Sequence, residues 1–275
     1  MSHATESPHN VPILDNRHSL PSEKPISSFF HRIDGELRTN CKIEHFPDFT
    51  KFTVTDVPIF KERGWEQRGK SPLRTPKPQS KDNSPETRSI NRAKSKIFNI
   101  AALNDFQHFI TWTLDKSKID REDSTIISKR LKIFLSNMVS RNNLSYLVVP
   151  EYHKDGKAIH FHGLLSGNLH LVDSGKRLSD GRTIYNMPQW NYGFSTCVEV
   201  AGSRQKIARY IVKYITKDTK KILGNFYYAG GHITRNPDIE LTTLDFDSIE
   251  AEPFFVPELG VNFKYLTIEG SACSA

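Results

Sequence analysis

The sequence predicts an α+β fold built on a mainly antiparallel sheet, and two observations carry this. From Ile97 to about Lys217 the hydrophobic period alternates between two and about 3.6 residues, in the order β-α-β-β-loop-β-α. The two central strands are joined only by His153-Lys-Asp155-Gly156-Lys, and its Asp-Gly pair is turn chemistry that folds one strand back on its neighbour.

Taken in order, residues 1–28 are polar, rich in Pro, Ser and His, and without a period, which predicts disorder. Residues 29–60 carry Phe29, Phe30, Phe46, Phe49, Phe52 and Phe60 in short alternating stretches that suit a strand or two. Residues 61–96 place Pro72, Pro76, Pro78 and Pro85 among charges and read as a linker. The main boundary is therefore expected near Lys96, with a polar and basic region over 1–96, one folded domain over 97–245 and a tail over 246–275. Within the domain, Phe106–Leu114 alternates as a strand with Phe109, Thr111 and Thr113 on one side. Ser124–Val139 has apolar residues at 127, 131, 134, 135 and 138, a helical period. Strands are predicted over 144–152 and 158–166, then a polar loop to about Tyr192 and a strand over 194–200. Ser203 can cap a helix running to about Lys217. There are no internal repeats.

Composition narrows the function classes. The chain of 275 residues is 37% hydrophobic, with a mean hydropathy of −0.51. The first ten residues hold no apolar run, so no secretory signal is expected. No apolar stretch is long enough to span a bilayer, so no membrane partner is expected. Three widely spaced cysteines, Cys41, Cys197 and Cys273, exclude a disulfide framework and a Cys-rich zinc module and suit a reducing cytoplasm. Residues 61–96 hold eleven Lys and Arg against four Asp and Glu, which accounts for the whole net charge of +7. Ser203–Lys221 adds seven basic residues against Asp218 alone. Basic charge so concentrated suits contact with phosphates, although a solvated linker and an exposed helix face would look the same.

Two clusters carry chemistry. His160 and His162 lie at i and i+2, so on a strand both imidazoles leave the same face and can bind one divalent cation. With eleven histidines in the chain, one His-x-His pair alone is weak evidence. Glu151 is the best third ligand, because a hairpin of 144–152 with 158–166 sets it opposite Ala158 or His160 on the same face. Asp218 is the alternative; His108 and His153 are expected to be structural or exposed. Tyr210 and Tyr214 are neighbours on one helix face, and each is followed three residues on by a lysine, Lys213 and Lys217. A phenol is a poor nucleophile at neutral pH, and a nearby ammonium or metal favours its phenolate. By itself the helix also reads as an amphipathic stripe for core packing, with Ile207, Ile211 and Ile215 beside the tyrosines. The doubled Tyr-x-x-Lys after a histidine pair favours chemistry.

These residues together resemble the HUH endonuclease superfamily, specifically replication initiators of rolling-circle plasmids and single-stranded DNA phages. The resemblance covers about residues 104–235 and rests on three motifs in order: Phe109-Ile-Thr-Trp-Thr-Leu114, His160-Phe-His162 with Glu151 upstream, and Tyr210-Ile-Val-Lys-Tyr214-Ile-Thr-Lys217. It implies an RRM/ferredoxin-like sheet carrying the histidines, with the tyrosine helix packed over it. It implies Mg²⁺ or Mn²⁺ at His160, His162 and Glu151, and Tyr210, Tyr214, Lys213 and Lys217 as catalytic residues. Single-stranded DNA at a replication origin would be cut to a 5′-phosphotyrosyl enzyme and later resealed into a circle. Lys206, Arg209, Lys220 and Lys221 would contact the DNA, and a helicase and DNA polymerase of a bacterial host would be partners in its cytoplasm. No Gly-x4-Gly-Lys-Ser/Thr loop is present, so no helicase ATPase is expected in the chain. A relaxase or transposase with the same motifs is one alternative, and a catalytically silent nucleic-acid-binding module is another.

Overall fold

The computed structural model describes residues 13–14, 31–33, 36–61, 84–153, 156, 158–215, 221–257 and 259–270. The chain forms two compact units. One lies within residues 81–236, and the other is built from segments on both sides of it. The fold is α+β, with a ferredoxin-like antiparallel sheet and flanking helices in the central unit. No described helix is long and apolar enough to cross a membrane.

The flanking unit starts with β1 (Ile13–Leu14), β2 (His31–Ile33), β3 (Glu36–Arg38), β4 (Cys41–His45) and β5 (Phe49–Thr55). β4 and β5 form an antiparallel hairpin whose Cys41, Ile43, Phe52 and Val54 are buried in a common core.

The central unit opens with α1 (Pro85–Leu103). Ser84 caps it by accepting from the Thr87 N–H at 3.1 Å, and Pro85 sits in the first turn, where its missing N–H costs nothing. Then follow β6 (His108–Leu114), α2 (Ser124–Asn142), β7 (Ser145–Tyr152) and β8 (Ile159–Ser166). After them come β9 (Val172–Arg177), β10 (Thr183–Asn186), β11 (Gly193–Glu199), α3 (Arg204–Val212) and β12 (Tyr228–Gly230). Asp123 caps α2 through the Thr125 and Ile126 N–H groups, and Asn143 ends it in the left-handed region at φ 52°. The sheet order is β12-β7-β8-β6-β11-β10-β9, every pair antiparallel. One face packs on α2: Ile110, Trp112, Val148, Phe161, Leu165 and Cys197 meet Ile127, Leu131, Phe134, Leu135 and Met138. Those five helix positions are the ones the helical period named. Trp112 stacks on Trp190 at 4.7 Å and meets Phe134 edge-on at 5.2 Å, sealing this layer.

The chain then returns to the flanking unit with β13 (Asp238–Thr242), β14 (Phe254–Val256) and β15 (Val261–Glu269). β13 pairs with β4, and β15 pairs with β5.

Several expectations are corrected here. The boundary placed near Lys96 falls inside α1, because residues 85–96 continue a buried face of Ile90, Ala93, Ile97 and Ile100. Residues 246–275 are not simply a tail: β14 and β15 lie there, and Val261, Phe263 and Leu266 are buried. Residues 36–60 are sheet rather than part of an unstructured region. The polar loop to Tyr192 contains the hairpin β9–β10, whose largely exposed strands lack the apolar alternation that marks a half-buried strand. The expected disorder over 1–28 and the linker over 62–83 lie outside the described residues, apart from Ile13–Leu14.

Candidate active site

Strand alternation and register build the face opposite α2. Across β7, β8, β6 and β11, one row reads Glu151, His160, Thr113 and Phe194. The next reads Val149, His162, Thr111 and Thr196, and the third Leu147, Leu164, Phe109 and Val198. Glu151 therefore stands opposite His160, one of the two positions the hairpin allowed.

The imidazoles are oriented by the threonines of β6. Thr111 Oγ1 lies 3.1 Å from His162 Nδ1, and Thr113 Oγ1 makes a long 3.5 Å contact with His160 Nδ1. Each Nε2 is thereby left for another partner. His162 Nε2 meets Glu151 Oε2 at 2.9 Å. Burial, with His160 beside it, pushes the His162 imidazole down to about 4, and burial also raises Glu151. The contact is therefore a hydrogen bond from an imidazole held neutral near pH 7 rather than an ion pair. His153 is exposed and its ring stacks on His160 at 4.9 Å, while His108 is half-buried and its pKa is lowered by burial.

α3 places the phenols over this face. Ser203 accepts from the Lys206 N–H and starts the helix as expected, but the helix ends at Val212 instead of about Lys217. The turn tightens there: Tyr214 N–H bonds to Ile211 O and Ile215 N–H to Val212 O, three residues back. Lys213 stays right-handed helical, so the two tyrosines remain neighbours. The Tyr214 ring lies flat on His162, with centroids 3.9 Å apart and planes 15° apart. Its hydroxyl donates to the Tyr210 hydroxyl at 3.1 Å. Phe109 supports both, edge-on to Tyr210 at 5.2 Å and stacked on Tyr214 at 6.1 Å. Tyr210 is 47% exposed, more than core packing would leave it.

The lysines act differently from the simple expectation. Burial, then the hydrogen bond to Tyr210 and the charges of Tyr210 and Glu151, raise the Tyr214 pKa, so this arrangement keeps its phenol protonated. Lys213 Nζ sits 5.9 Å from the centre of the Tyr210 ring. Lys217, Lys220 and Asp218 lie outside the described residues. Lys206 lines a cavity of about 540 Å³ with Phe109, Thr111, Thr196, Val198 and Tyr210. Arg209 is half-buried on α3, and Lys221 lines a separate cleft at the β12 edge.

Thr111 and Thr113 were assigned to the right strand face but given no role, because their contact with the histidines depends on β6 pairing with β8. Phe194, 69% exposed in the same row as His160, was not singled out. Its signal was strand alternation after the polar loop, with an aromatic residue at a face position.

The donor chemistry fits a divalent cation: two imidazoles with Nδ1 held by hydroxyls, one of them neutral through burial, and an adjoining carboxylate. These side chains are nevertheless turned onto one another and onto His153. Among the described residues, no three His, Cys, Asp or Glu are gathered as a metal site.

Comparison with curated proteins and with solved structures finds no match to the chain. Residues 107–219, about two-fifths of the chain, match the model of a family of replication-associated proteins, the ORF2 and gene 2 protein type. That span takes in β6, α2, the histidine strand and both tyrosines, and the match supports a Rep-type replication initiator, with origin DNA as its partner.

Proposed function

We propose that this protein starts rolling-circle replication by nicking single-stranded origin DNA through tyrosine transesterification. The observation that carries the reading is the stacking of Tyr214 on His162 with its hydroxyl on Tyr210, which brings both phenols to the face that bears His160 and Glu151. A phenol oxygen attacks the scissile phosphorus and the bond to the 3′ oxygen breaks. The phenol proton ends on that oxygen, leaving a free 3′-OH and a 5′-phosphotyrosyl enzyme. The reverse attack by a 3′-OH reseals the strand into a circle.

His160, His162 and Glu151 are the residues that would hold Mg²⁺ or Mn²⁺, which supplies Lewis-acid polarisation of a phosphate oxygen when bound. Thr111 and Thr113 fix the rings so that their Nε2 atoms face the reaction. The cavity beside Tyr210 is large enough for a nucleotide next to the scissile phosphate, and Lys206 at its wall offers a cation to the backbone. A host polymerase would extend the 3′-OH and a host helicase would open the duplex.

The test is incubation with circular single-stranded origin DNA and Mn²⁺, followed by peptide mapping of covalent adducts. The expected adduct lies on a peptide containing Tyr210 and Tyr214. Cleavage with no adduct would mean water is the nucleophile and the reading fails.

A further inference from the structure

A second cleft lies away from the tyrosines, at the β12 edge of the same sheet. It has a volume of about 540 Å³ and is lined by Arg92 and Lys96 of α1, Lys132 of α2, Lys221 and Arg235. Among the described residues, no Asp or Glu lines it. Arg92 and Lys96 are one helical turn apart, a like-charge spacing that weakens a helix. Five cations around one concavity with no carboxylate repel one another, and an anionic ligand relieves that repulsion. Tyr146, Phe226 and Tyr227 line the cleft as well, and Lys221 Nζ lies 5.7 Å from the centre of the Phe226 ring. Cations interleaved with aromatic rings suit a single strand, whose phosphates are spaced along a backbone and whose bases have free faces for stacking.

The cleft is separate from the tyrosine site but belongs to the same sheet. β12 pairs with β7, which pairs with the histidine strand β8. Tyr146 stands five residues before Glu151 on β7, about 17 Å along the strand. A single strand of a few nucleotides can span that distance.

We infer that this cleft is a second single-stranded DNA site, which grips the strand beyond the nucleotides engaged at the tyrosines. The inference rests on the reading that the chain acts on DNA. It gives a role to Arg92 and Lys96, whose charge the sequence had assigned to a linker.

The experiment uses the full chain and the variant Arg92→Gln/Lys96→Gln/Lys132→Gln. All three residues are exposed on helices, and Gln has a similar helix propensity to Arg and Lys. Binding of fluorescein-labelled dT30 is followed by anisotropy across a NaCl series, with a thermal melt to check folding. The triple variant should bind dT30 more weakly, and the slope of log affinity against log salt should fall by about 2, from roughly 0.7 per single-strand phosphate contact. The double variant that keeps Lys132 should show about two-thirds of that change. Single-turnover cleavage of a short saturating oligonucleotide should be unchanged. Equal dT30 affinity and slope in folded wild type and triple variant would overturn the inference. So would displacement of dT30 from wild type by polyglutamate or by millimolar inorganic phosphate at constant ionic strength, which would make this a site for an acidic protein or for free phosphate. If wild type cleaves no DNA yet dT30 binding depends on the cleft, the proposed function fails and this inference stands.

Discussion

Replacing each tyrosine by phenylalanine separates chemistry from packing, because the aromatic contacts survive. In Tyr214→Phe the ring keeps its place on His162 at 3.9 Å and beside Phe109, and only the hydroxyl bond to Tyr210 is lost. That bond is at least partly solvated, so its loss should cost about 1 kcal/mol or less, a melting shift of about 2–4 °C in a unit of this size. Tyr210→Phe removes the same bond from the other side, and with it two of the causes that raise the Tyr214 pKa, so Tyr214 should ionise at a lower pH than in wild type. Ultraviolet difference titration reads that change directly. If the two phenols alternate as nucleophiles, each single variant should retain some single-turnover nicking. The double variant should fall by at least about 10³-fold, as expected when a nucleophile is removed. A complete replication round needs two successive cleavages, so neither single variant should release a closed unit circle. The assay is covalent-adduct gel analysis on labelled single-stranded origin DNA alongside circle formation. If one Phe variant abolishes cleavage while the other closes circles normally, the pair does not alternate and a relaxase or transposase scheme with one tyrosine takes its place. Wild-type behaviour of both variants would remove tyrosine chemistry altogether.

His160→Ala and His162→Ala should each abolish metal-dependent nicking, while Glu151→Gln should raise the Mn²⁺ concentration needed for half-maximal rate; an unchanged Mn²⁺ titration would direct attention to Asp218. Gly163→Ala should destabilise the central unit by about 1–3 kcal/mol, because the new Cβ would stand 2.8 Å from Leu147 O and 3.0 Å from Val148 Cγ2 between paired strands; an unchanged denaturant midpoint would contradict the strand spacing described here. Metal-free protein should lose stability on acidification. The folded His162 titrates at about 4, below its ordinary 6.5, so its contribution is complete above pH 6.5 and disappears as pH falls toward 4. His108 is shifted downward by burial too and acts in the same direction. His162→Gln should flatten the dependence of melting temperature on pH across that window, and an equally steep curve in the variant would refute the assignment.

The local part of this site was legible in the chain. Two-residue alternation put His160 and His162 on one face, and a short connection containing Asp155-Gly156 limited Glu151 to facing Ala158 or His160. The α2 period named its buried face, and Ser203 marked the start of α3. Each of these is set within about twenty residues of chain, where backbone geometry fixes which way side chains leave.

What the tertiary structure decided depends on partners far away in sequence. Residues 41–55 and 238–269 are short or weakly patterned strands separated by the whole central unit, and only their pairing reveals one sheet with a shared core. α1 hid in a basic, proline-containing stretch because its buried face consists mostly of small or scattered apolar residues that need α3 to cover them. Thr111 and Thr113 became partners of the imidazoles only through the register of β6 on β8, fifty residues apart. The proton affinities followed the same rule. Lysines three residues away in sequence suggested an activated phenol, but burial against His162 and the bond to Tyr210 outweigh them at Tyr214. Sequence period determines the direction in which a side chain points; what it meets there, and how much water is left around it, is set by the packing of distant segments.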